Sequence, residues 1–447
     1  MTVLTEARDT LGRELRQISI TRPTTWAFPL ALMAAALLSM RQSFTVRATH
    51  GLTPLQFTIM AGVGIIAVLV ALGICQLSTP PAGPTAAIVT GFVIILATYA
   101  AAATRGMTAD ECVGADRVLL IQVMLVGAFL LVTTIVRTPR AVVLILRGLV
   151  AGATVSAMFA LVQTATGQDL APMFRIPVLL KADVTVLVTD LFRAGVVRPQ
   201  GSAGHPLELS AVLTAVVPLG LAVTLYSRKR GERWWLWAGA TSIITLAALS
   251  TVSRSAVVGI IVVAAILAVF SPIKRTMIGV GAVLAGVLIA LAFNVPILNR
   301  LAAVISGGSQ DGSLESRGFG VNYVATHLSD HLWFGQGPGT YDLMRQPVLD
   351  NEYLTRLIEG GLLGLLAFCL ILGTGLVAGL TATIRAARAR HRLATDLAAC
   401  VTASLAVIAI TATVLDVSGF AQISSLMMLL IPLAVVLTRE DADVEQL

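Results

Sequence analysis

Three arginines and one aspartate stand out in this chain because they lie beside long hydrophobic runs or in the polar stretch that connects two of them. Arg198 and Arg254 come shortly before or at the start of such runs, and Arg317 opens a polar stretch that leads to Asp350. The planar guanidinium of arginine matches two phosphate oxygens at once, and a nearby carboxylate can exchange a proton with a hydroxyl group. These residue types predict a site for a phosphate-bearing anion with an acid or base beside it.

The densest polar cluster immediately precedes the apolar run that begins near residue 354. It consists of Asp350, Asn351, Glu352 and Tyr353. If a helix begins there, Glu352, Arg356 and Glu359 follow at i, i+4 and i+7, so they share one face and can pair with one another. Asp350 would point elsewhere, and it is either the general base or the N-cap of the helix. Glu352 is the second candidate base.

Two candidates in the preceding polar loop also have simple structural roles. His205 stands before Pro206, and proline is favoured in the first turn of a helix, so His205 is either a helix cap or part of the site. Arg198 is placed to bind either the anion or lipid headgroups.

Arg254 lies between two hydrophobic runs, flanked by Ser253 and Ser255. An arginine at membrane depth costs at least about 2.5 kcal/mol, so it requires an anionic partner or a wet cavity. Serines at a helix start are typical N-caps, and we expect that role for both.

The segment after Arg317 predicts a short helix and a turn. Arg317, Val321, Val324 and Leu328 lie at helical spacing, which is typical of an amphipathic helix resting on a bundle. The glycines of the following GQGPGTY sequence indicate a tight turn or a close backbone approach. They do not form a dinucleotide loop, because the strand and crossover that such a loop requires are absent from the pattern.

A metal site is only weakly indicated. His327, Asp330 and His331 could share a helix face, but the pattern is more typical of a wet helix end. We therefore expect no metal and no cofactor, with the arginines supplying the positive charge.

The elements that carry these residues are membrane-spanning helices. Hydrophobic residues make up 56% of the 447 residues, charged residues make up 12%, and the mean hydropathy is +0.88. Soluble domains carry about 25% charged residues. The sequence therefore predicts an all-α integral membrane protein, and its four cysteines show neither a disulfide framework nor a metal motif.

Twelve apolar runs are long enough to cross a bilayer. The predicted spans are 24–40, 55–75, 85–104, 118–136, 141–165, 206–226, 234–252, 255–271, 276–294, 354–380, 393–415 and 424–438. They form one bundle over 24–438, with two long loops at about 167–205 and 295–353 that carry short helices, between a segment 1–23 and a tail 439–447.

Basic residues on the short loops predict the orientation. The clusters at 228–233, 273–275 and 385–392 all fall on the side of the N-terminus. Because short cytoplasmic loops are enriched in Lys and Arg, we expect both termini in the cytoplasm. The two long loops, and the candidate site with them, then lie on the extracytoplasmic face of the inner membrane.

The stretch from Arg198 to Leu366 resembles the O-antigen ligase and O-antigen polymerase superfamily. Four ordered pieces carry the resemblance: Arg198 with Gly201 and His205-Pro206; Ser253-Arg254-Ser255; Arg317 followed by Trp333, Phe334, Gly335 and the GPGTY turn; and Asn351, Tyr353 and Leu354 before Glu359, Gly360 or Gly361, Leu362 and Gly364. The ligases usually have histidine immediately before the matched asparagine, where this chain has Asp350. That departure favours a polymerase-like or other surface-glycan transferase.

This resemblance implies a metal-independent glycosyltransferase of the membrane-embedded C type. Such an enzyme moves a glycan from a polyprenyl diphosphate carrier to an acceptor sugar, with inversion at the anomeric carbon. It implies that Arg198, Arg254 and Arg317 hold the diphosphate and that Asp350 activates the acceptor hydroxyl. Asn351, Glu352, Tyr353, His205 and Arg356 would bind substrate. The partners would be the lipid-linked donor, a glycan or glycolipid acceptor and membrane lipids, with no nucleic acid.

Two other function classes fit a chain of this composition. A twelve-span transporter or flippase would show internal repeats in many cases, whereas the two halves of this chain are asymmetric and no repeat is evident. The second class is a non-catalytic membrane scaffold.

Overall fold

The fold is a bundle of apolar helices, seen in a computed structural model that describes residues 27–42, 44–46, 53–71, 79–174, 180–182, 192–193, 196–271, 312–342 and 345–439. In chain order the helices are α1 Ala27–Ser39, α2 Pro54–Ala71, α3 Ala82–Thr104, α4 Ala109–Ile135, α5 Pro139–Thr166, α6 Pro206–Lys229, α7 Trp234–Ser250, α8 Arg254–Phe270, α9 Gly312–His327, α10 Glu352–Arg388, α11 Arg392–Thr411 and α12 Ala421–Val436. Two short 3₁₀ helices, Ala171–Phe174 and Leu328–His331, lie in the connectors.

The strands of the described part are minor. β1 (Phe44–Val46) pairs antiparallel with β2 (Leu180–Ala182), and β3 (Phe192–Arg193) pairs antiparallel with β4 (Val196–Val197). The all-α class is therefore confirmed.

Eleven of the twelve predicted spans coincide with a helix. Six helices, namely α3, α4, α5, α6, α10 and α11, are long and apolar enough to cross a membrane, and α1, α7, α8 and α12 are shorter apolar helices. The predicted ninth span 276–294 and the N-terminal segment 1–23 lie outside the described residues, so the count of twelve stays a prediction.

Local sequence explains where the functional helices begin. Pro206 occupies the first turn of α6 as predicted, where its missing N–H costs no hydrogen bond. The side chain of Asn351 accepts a hydrogen bond from Leu354 N at 3.2 Å and so caps α10. α11 packs against α6, α8 and α10, and this central group carries much of the buried apolar core.

The predicted stripe of α9 is wrong in one position. Val324 is buried against Leu349 and Ile358, but Val321 is 53% exposed. Gly320 lies on the buried side instead, with the position of its absent Cβ only 3.2 Å from the side chain of Leu349. The packed face of α9 therefore follows Arg317, Gly320 and Val324, because the missing side chain of Gly320 admits the segment before α10.

Candidate active site

Arg198 and His205 belong to a buried loop that leads into α6. Arg198 is 7% exposed, and its Nε donates a hydrogen bond at 3.2 Å to the carbonyl of Thr251, in the turn that starts α8. His205 caps α6, because its Nδ1 accepts a hydrogen bond from Leu207 N at 3.1 Å. Burial and the positive charge of Arg198 lower the pKa of His205 to about 4. The ring is therefore neutral at physiological pH and carries its proton on Nε2.

Arg254 is the first residue of α8 and is half-buried. The expectation that both neighbouring serines cap this helix is wrong. Ser253 stands at the N-cap position without a capping hydrogen bond, and its Oγ lies 2.6 Å from Oγ of Ser255. Val252 has φ +50°, a backbone conformation that β-branched residues rarely adopt. Strain of this kind concentrates at functional sites.

Asp350 lies directly before α10 and does not cap it. Because Asn351 fills the cap position, the interpretation of Asp350 as N-cap is wrong. Asp350 is half-buried with φ +43°, which asparagine and aspartate tolerate better than most residues. Burial raises the pKa of its carboxyl group, while the nearby charge of Arg317 acts in the opposite direction. The structure thus brings Asp350 and Arg317 together.

Arg317 reaches this position from α9. Its Nε is a buried atom that has no hydrogen-bond partner among the residues that the structure describes. A buried guanidinium donor normally has an acceptor. An anionic ligand beside Asp350 would supply one.

Glu352, Arg356 and Glu359 form the predicted paired face of α10. Arg356 Nε donates to Glu352 Oε1 at 2.6 Å, and Arg356 Nη1 lies 3.7 Å from Glu359 Oε2. Glu352 is fully buried and also accepts hydrogen bonds from Ser418 N at 2.8 Å and Ser418 Oγ at 2.5 Å. These contacts occupy the carboxylate of Glu352, so the geometry favours Asp350 over Glu352 as the proton acceptor.

The connector between α11 and α12 closes this network from the other side. Asp416 hydrogen-bonds with Glu352, and burial together with the negative charge of Glu352 raises the pKa of Asp416 well above its usual range. Glu352 N donates to Ala412 O at 2.8 Å. The start of α10 is therefore fixed to the end of α11.

Tyr353 points into the bundle. Its hydroxyl donates to Ala409 O at 2.9 Å, and its ring packs edge-on against Phe368 with centroids 5.4 Å apart. Tyr353 and Arg356 thus contact the protein interior, where sequence alone had suggested substrate contacts.

A break in α10 receives the glycine-rich segment that follows α9. Gly361 has φ +62° and ψ −160°, a combination that is essentially restricted to glycine. The freed backbone groups pair with this segment: Gln336 N donates to Ile358 O at 2.9 Å, Gly337 N to Glu359 O at 2.8 Å, and Leu362 N to Leu332 O at 2.9 Å. The predicted close backbone approach is confirmed.

Gly335 shows how tight this approach is. A Cβ at Gly335 would lie 2.2 Å from Glu359 O, so no side chain fits. We call residues 312–342 and 345–351 the lid, because α9 and the docked glycine segment lead from Arg317 to Asp350.

A second polar cluster was not among the residues singled out from sequence. Arg41, just after α1, is 9% exposed. Its Nη1 donates to Gly201 O at 2.7 Å and pairs with Asp169 at 3.0 Å, and its Nη2 donates to Gln200 Oε1. These contacts fix the loop between Arg198 and His205.

Glu208 of α6 completes this cluster, which we call the hub. Its carboxylate accepts hydrogen bonds from Gly204 N at 2.8 Å and Gln422 N at 2.7 Å. The sequence signal that could have revealed this cluster is Glu208 itself, because a carboxylate inside an apolar span requires polar partners in the folded protein. Through Gln422 the hub joins the starts of α6 and α12, so the starts of α6, α8, α10 and α12 lie at one end of the bundle.

The side chains of the weak metal pattern, His327, Asp330 and His331, do not converge on one point. His327 stacks on Tyr323 at 4.1 Å, while Asp330 and His331 are exposed. Among the described residues, no group of three or more His, Cys, Asp or Glu side chains could hold a metal ion.

Comparison with known proteins shows a similarity over one part of the chain. Residues 239–369 match the family model described as O-antigen ligase. This range contains Arg254, Arg317, Asp350 and the docked lid, while Arg198 and His205 lie before it. No curated protein matches the chain. The match supports an O-antigen ligase or polymerase-like function in surface polysaccharide synthesis. Residues 239–369 of this multi-pass membrane protein are thus similar to the O-antigen ligase family, which supports the resemblance to the O-antigen ligase and polymerase superfamily.

Proposed function

We propose that the protein transfers a glycan from a polyprenyl diphosphate carrier to an acceptor sugar on the extracytoplasmic face of the inner membrane, without a metal ion. The observation that carries the proposal is the proximity of Asp350 to the charge of Arg317 at the mouth of α10. Asp350 is half-buried and is not used as a helix cap, and Arg317 has a buried donor atom directed at no described acceptor.

Asp350 acts as the general base in a single displacement. Its carboxylate accepts the proton of the acceptor hydroxyl as the hydroxyl oxygen forms a bond to the anomeric carbon. The bond between that carbon and the phosphate oxygen breaks, and the diphosphate leaves with the electron pair. Attack opposite to the leaving group inverts the anomeric centre.

The arginines bind the leaving diphosphate. Arg254 lies at the start of α8, Arg317 lies in the second turn of α9, and Arg198 is held against the turn that precedes α8. A guanidinium stabilises the charge that develops on phosphate oxygens during bond breaking. The start of α8 adds the positive end of its helix dipole. The neutral ring of His205 can donate from Nε2 to a sugar or phosphate oxygen.

Ligase and polymerase differ in the acceptor rather than in this chemistry. The aspartate that stands where ligases usually carry histidine favours repeated, polymerase-like transfer between sugars. The sidedness of the site rests on the basic short loops. One of them connects α6 to α7 at the opposite end of the bundle, where Arg228 contacts the Trp234 ring and Glu232 pairs with Arg147 of α5.

Transfer of radiolabelled glycan from a polyprenyl diphosphate donor by the purified, lipid-reconstituted protein tests the proposal. Asp350→Asn keeps the size of the side chain and removes the base, so we expect the rate to fall by roughly 10²–10⁴-fold. Arg254→Ala should abolish transfer as well. Asp330→Asn, an exposed aspartate on the same lid, is the matched control and should retain full activity.

Full activity of both Asp350→Asn and Arg254→Ala would refute the proposal. The surface glycans of a strain that lacks the protein distinguish the two acceptors. Single glycan units that remain attached at the surface indicate a polymerase, whereas long chains that accumulate on the carrier indicate a ligase.

A further inference from the structure

We propose that residues Leu332–Phe334 of the lid form a membrane anchor, seated in lipid at the boundary between headgroups and acyl chains. This inference does not depend on the proposed reaction. It concerns three consecutive apolar side chains on a segment that the sequence pattern treats as a water-facing loop.

The anchor residues are exposed although their backbone is fixed. Leu332 O and Trp333 O accept hydrogen bonds from Leu362 N and Leu363 N of α10 at 2.9 and 3.2 Å. Trp333 is 60% exposed and Phe334 is 42% exposed. A rigid segment that presents large apolar side chains outward marks an interaction surface.

The surface beside the anchor is lipid-facing. On α10, Leu362 and Leu366 follow each other by one helical turn and are 38% and 53% exposed. The apolar part of α3 is only 28% buried. α3 adjoins the same segment, because Arg105 at its end donates a hydrogen bond to Gln336 O. Exposed leucines on a membrane-spanning helix contact acyl chains. Trp333 and Phe334 extend that apolar surface toward the end of the bundle that carries the candidate site.

The length of α10 places the anchor at the correct depth. The part of α10 after the break, from Leu362 to Arg388, is about 40 Å long at 1.5 Å per residue and exceeds the hydrocarbon thickness of about 30 Å. Counting about 20 residues back from Arg385 at the opposite end leads to the region of Gly364, within one turn of the break at Gly361. Aromatic side chains favour this boundary, where the ring lies among apolar groups and the indole N–H meets water.

The anchor fixes the distance between the membrane and the candidate site. Before the break, α10 folds back beside its later part, because the rings of Tyr353 and Phe368 pack with centroids 5.4 Å apart and Glu352 N donates to Ala412 O at the end of α11. Asp350 therefore lies near the level of the anchor and of the end of α11, where a sugar attached to a membrane-bound diphosphate would be presented. The lid is held at that height by its own side chains.

Tryptophan fluorescence tests the anchor directly. The chain has five tryptophans, and Trp333 is the one on the predicted outer loops. A protein in which Trp26, Trp234, Trp235 and Trp237 are changed to Phe retains only Trp333. It is reconstituted in phosphatidylcholine nanodiscs with bromine near the top of the acyl chains, or in unlabelled nanodiscs titrated with iodide. We expect the brominated lipid to remove most of the Trp333 emission, with little effect of iodide.

A matched probe on the same lid provides the control. The side chain of Arg345 is 87% exposed, so a tryptophan introduced as Arg345→Trp in the background without Trp333 should respond to iodide and not to brominated lipid. If the fourfold Phe variant does not fold, the difference in emission between the wild-type protein and Trp333→Phe gives the same measurement.

Two results would overturn the proposal. Quenching of Trp333 by iodide alone would mean that the segment lies in water. Protection from both quenchers would mean that protein covers it, for example a second copy of the chain. Because no glycan transfer is measured, either result is separate from a failure of the proposed function.

Discussion

The two polar regions at the same end of the bundle differ in how completely their charges are satisfied. In the hub, Arg41 and Glu208 are buried, and each makes hydrogen bonds to more than one partner. At the mouth of α10, Asp350 and Arg317 are half-buried, Asp350 adopts a left-handed backbone conformation, and Arg317 Nε has no described acceptor. The difference indicates that the hub is a framework, whereas the lid presents groups that still have to meet a ligand.

Physical chemistry supports this division. Burying a charge is tolerable only when partners replace the lost water, so a fully paired cluster holds its geometry but has little capacity left for a substrate. A strained, partly desolvated carboxylate persists only where the surrounding structure imposes it. Here the docked glycine segment and the capped start of α10 do so.

Removal of the arginine of the hub should have the largest effect on stability. Arg41→Met leaves the Asp169 carboxylate and the Gly201 carbonyl without their donor, and breaking a buried pair costs about 3–5 kcal/mol. The unfolding free energy in detergent micelles measures this loss. Arg345→Met is the control, because its exposed pair with Asp342 contributes about 0–1 kcal/mol. Equal stability of the two variants would contradict the framework role of the hub.

The contrast between the regions also separates what sequence could predict from what it could not. The pairing of Glu352, Arg356 and Glu359 follows from helical spacing within one element. The contact between Arg41 and Gly201 joins residues 160 positions apart. No local pattern encodes such a contact, so Arg41 remained one more basic residue at the end of a span.

The lid illustrates the same limit. Its glycines predict a close approach, but the partner of that approach is a break inside α10, in a run that reads as an uninterrupted apolar helix. Val321 fits the stripe of α9 by spacing and is nevertheless exposed, because Gly320 provides the contact surface. Spacing identifies a face of a helix, whereas the neighbour decides which face is buried.

Closing the break in α10 should detach the lid while the hub stays intact. Gly361→Ala forces a side chain into a conformation that is essentially restricted to glycine and places its Cβ 2.4 Å from the Trp333 carbonyl carbon, which costs roughly 3 kcal/mol. The unfolding free energy in micelles measures this loss as well. Gly373→Ala lies on the same helix with open space around the added methyl group, and it should stabilise the helix by about 0.5–1 kcal/mol. A loss of the same size in both variants would rule out the docked break as the cause.

The pH dependence of transfer should reveal the effect of the Arg317 charge on the ionisation of Asp350. Asp350 must be ionised to accept a proton, so activity falls as the pH drops through its pKa, which burial has raised. Arg317→Gln removes a charge that favours the ionised form. The acid limb of the pH–rate profile should then move to higher pH, because the ionised form of Asp350 loses a favourable charge. Arg345→Gln should leave the acid limb of the profile unchanged. An unchanged acid limb in Arg317→Gln would mean that the charge of Arg317 does not act on the ionisation of Asp350.

The smallest effect concerns Asn351, whose position beside the candidate base suggested a substrate contact. In the structure its side chain caps α10, so Asn351→Ala should lower the unfolding free energy by about 1 kcal/mol. Serine caps a helix about as well as asparagine but carries no amide. Asn351→Ser should therefore retain both stability and transfer activity, including the KM for the donor. A rise in KM with unchanged stability would mean that the amide also binds substrate. Asn351 would then have both a structural role, as the cap of α10, and a role in substrate binding.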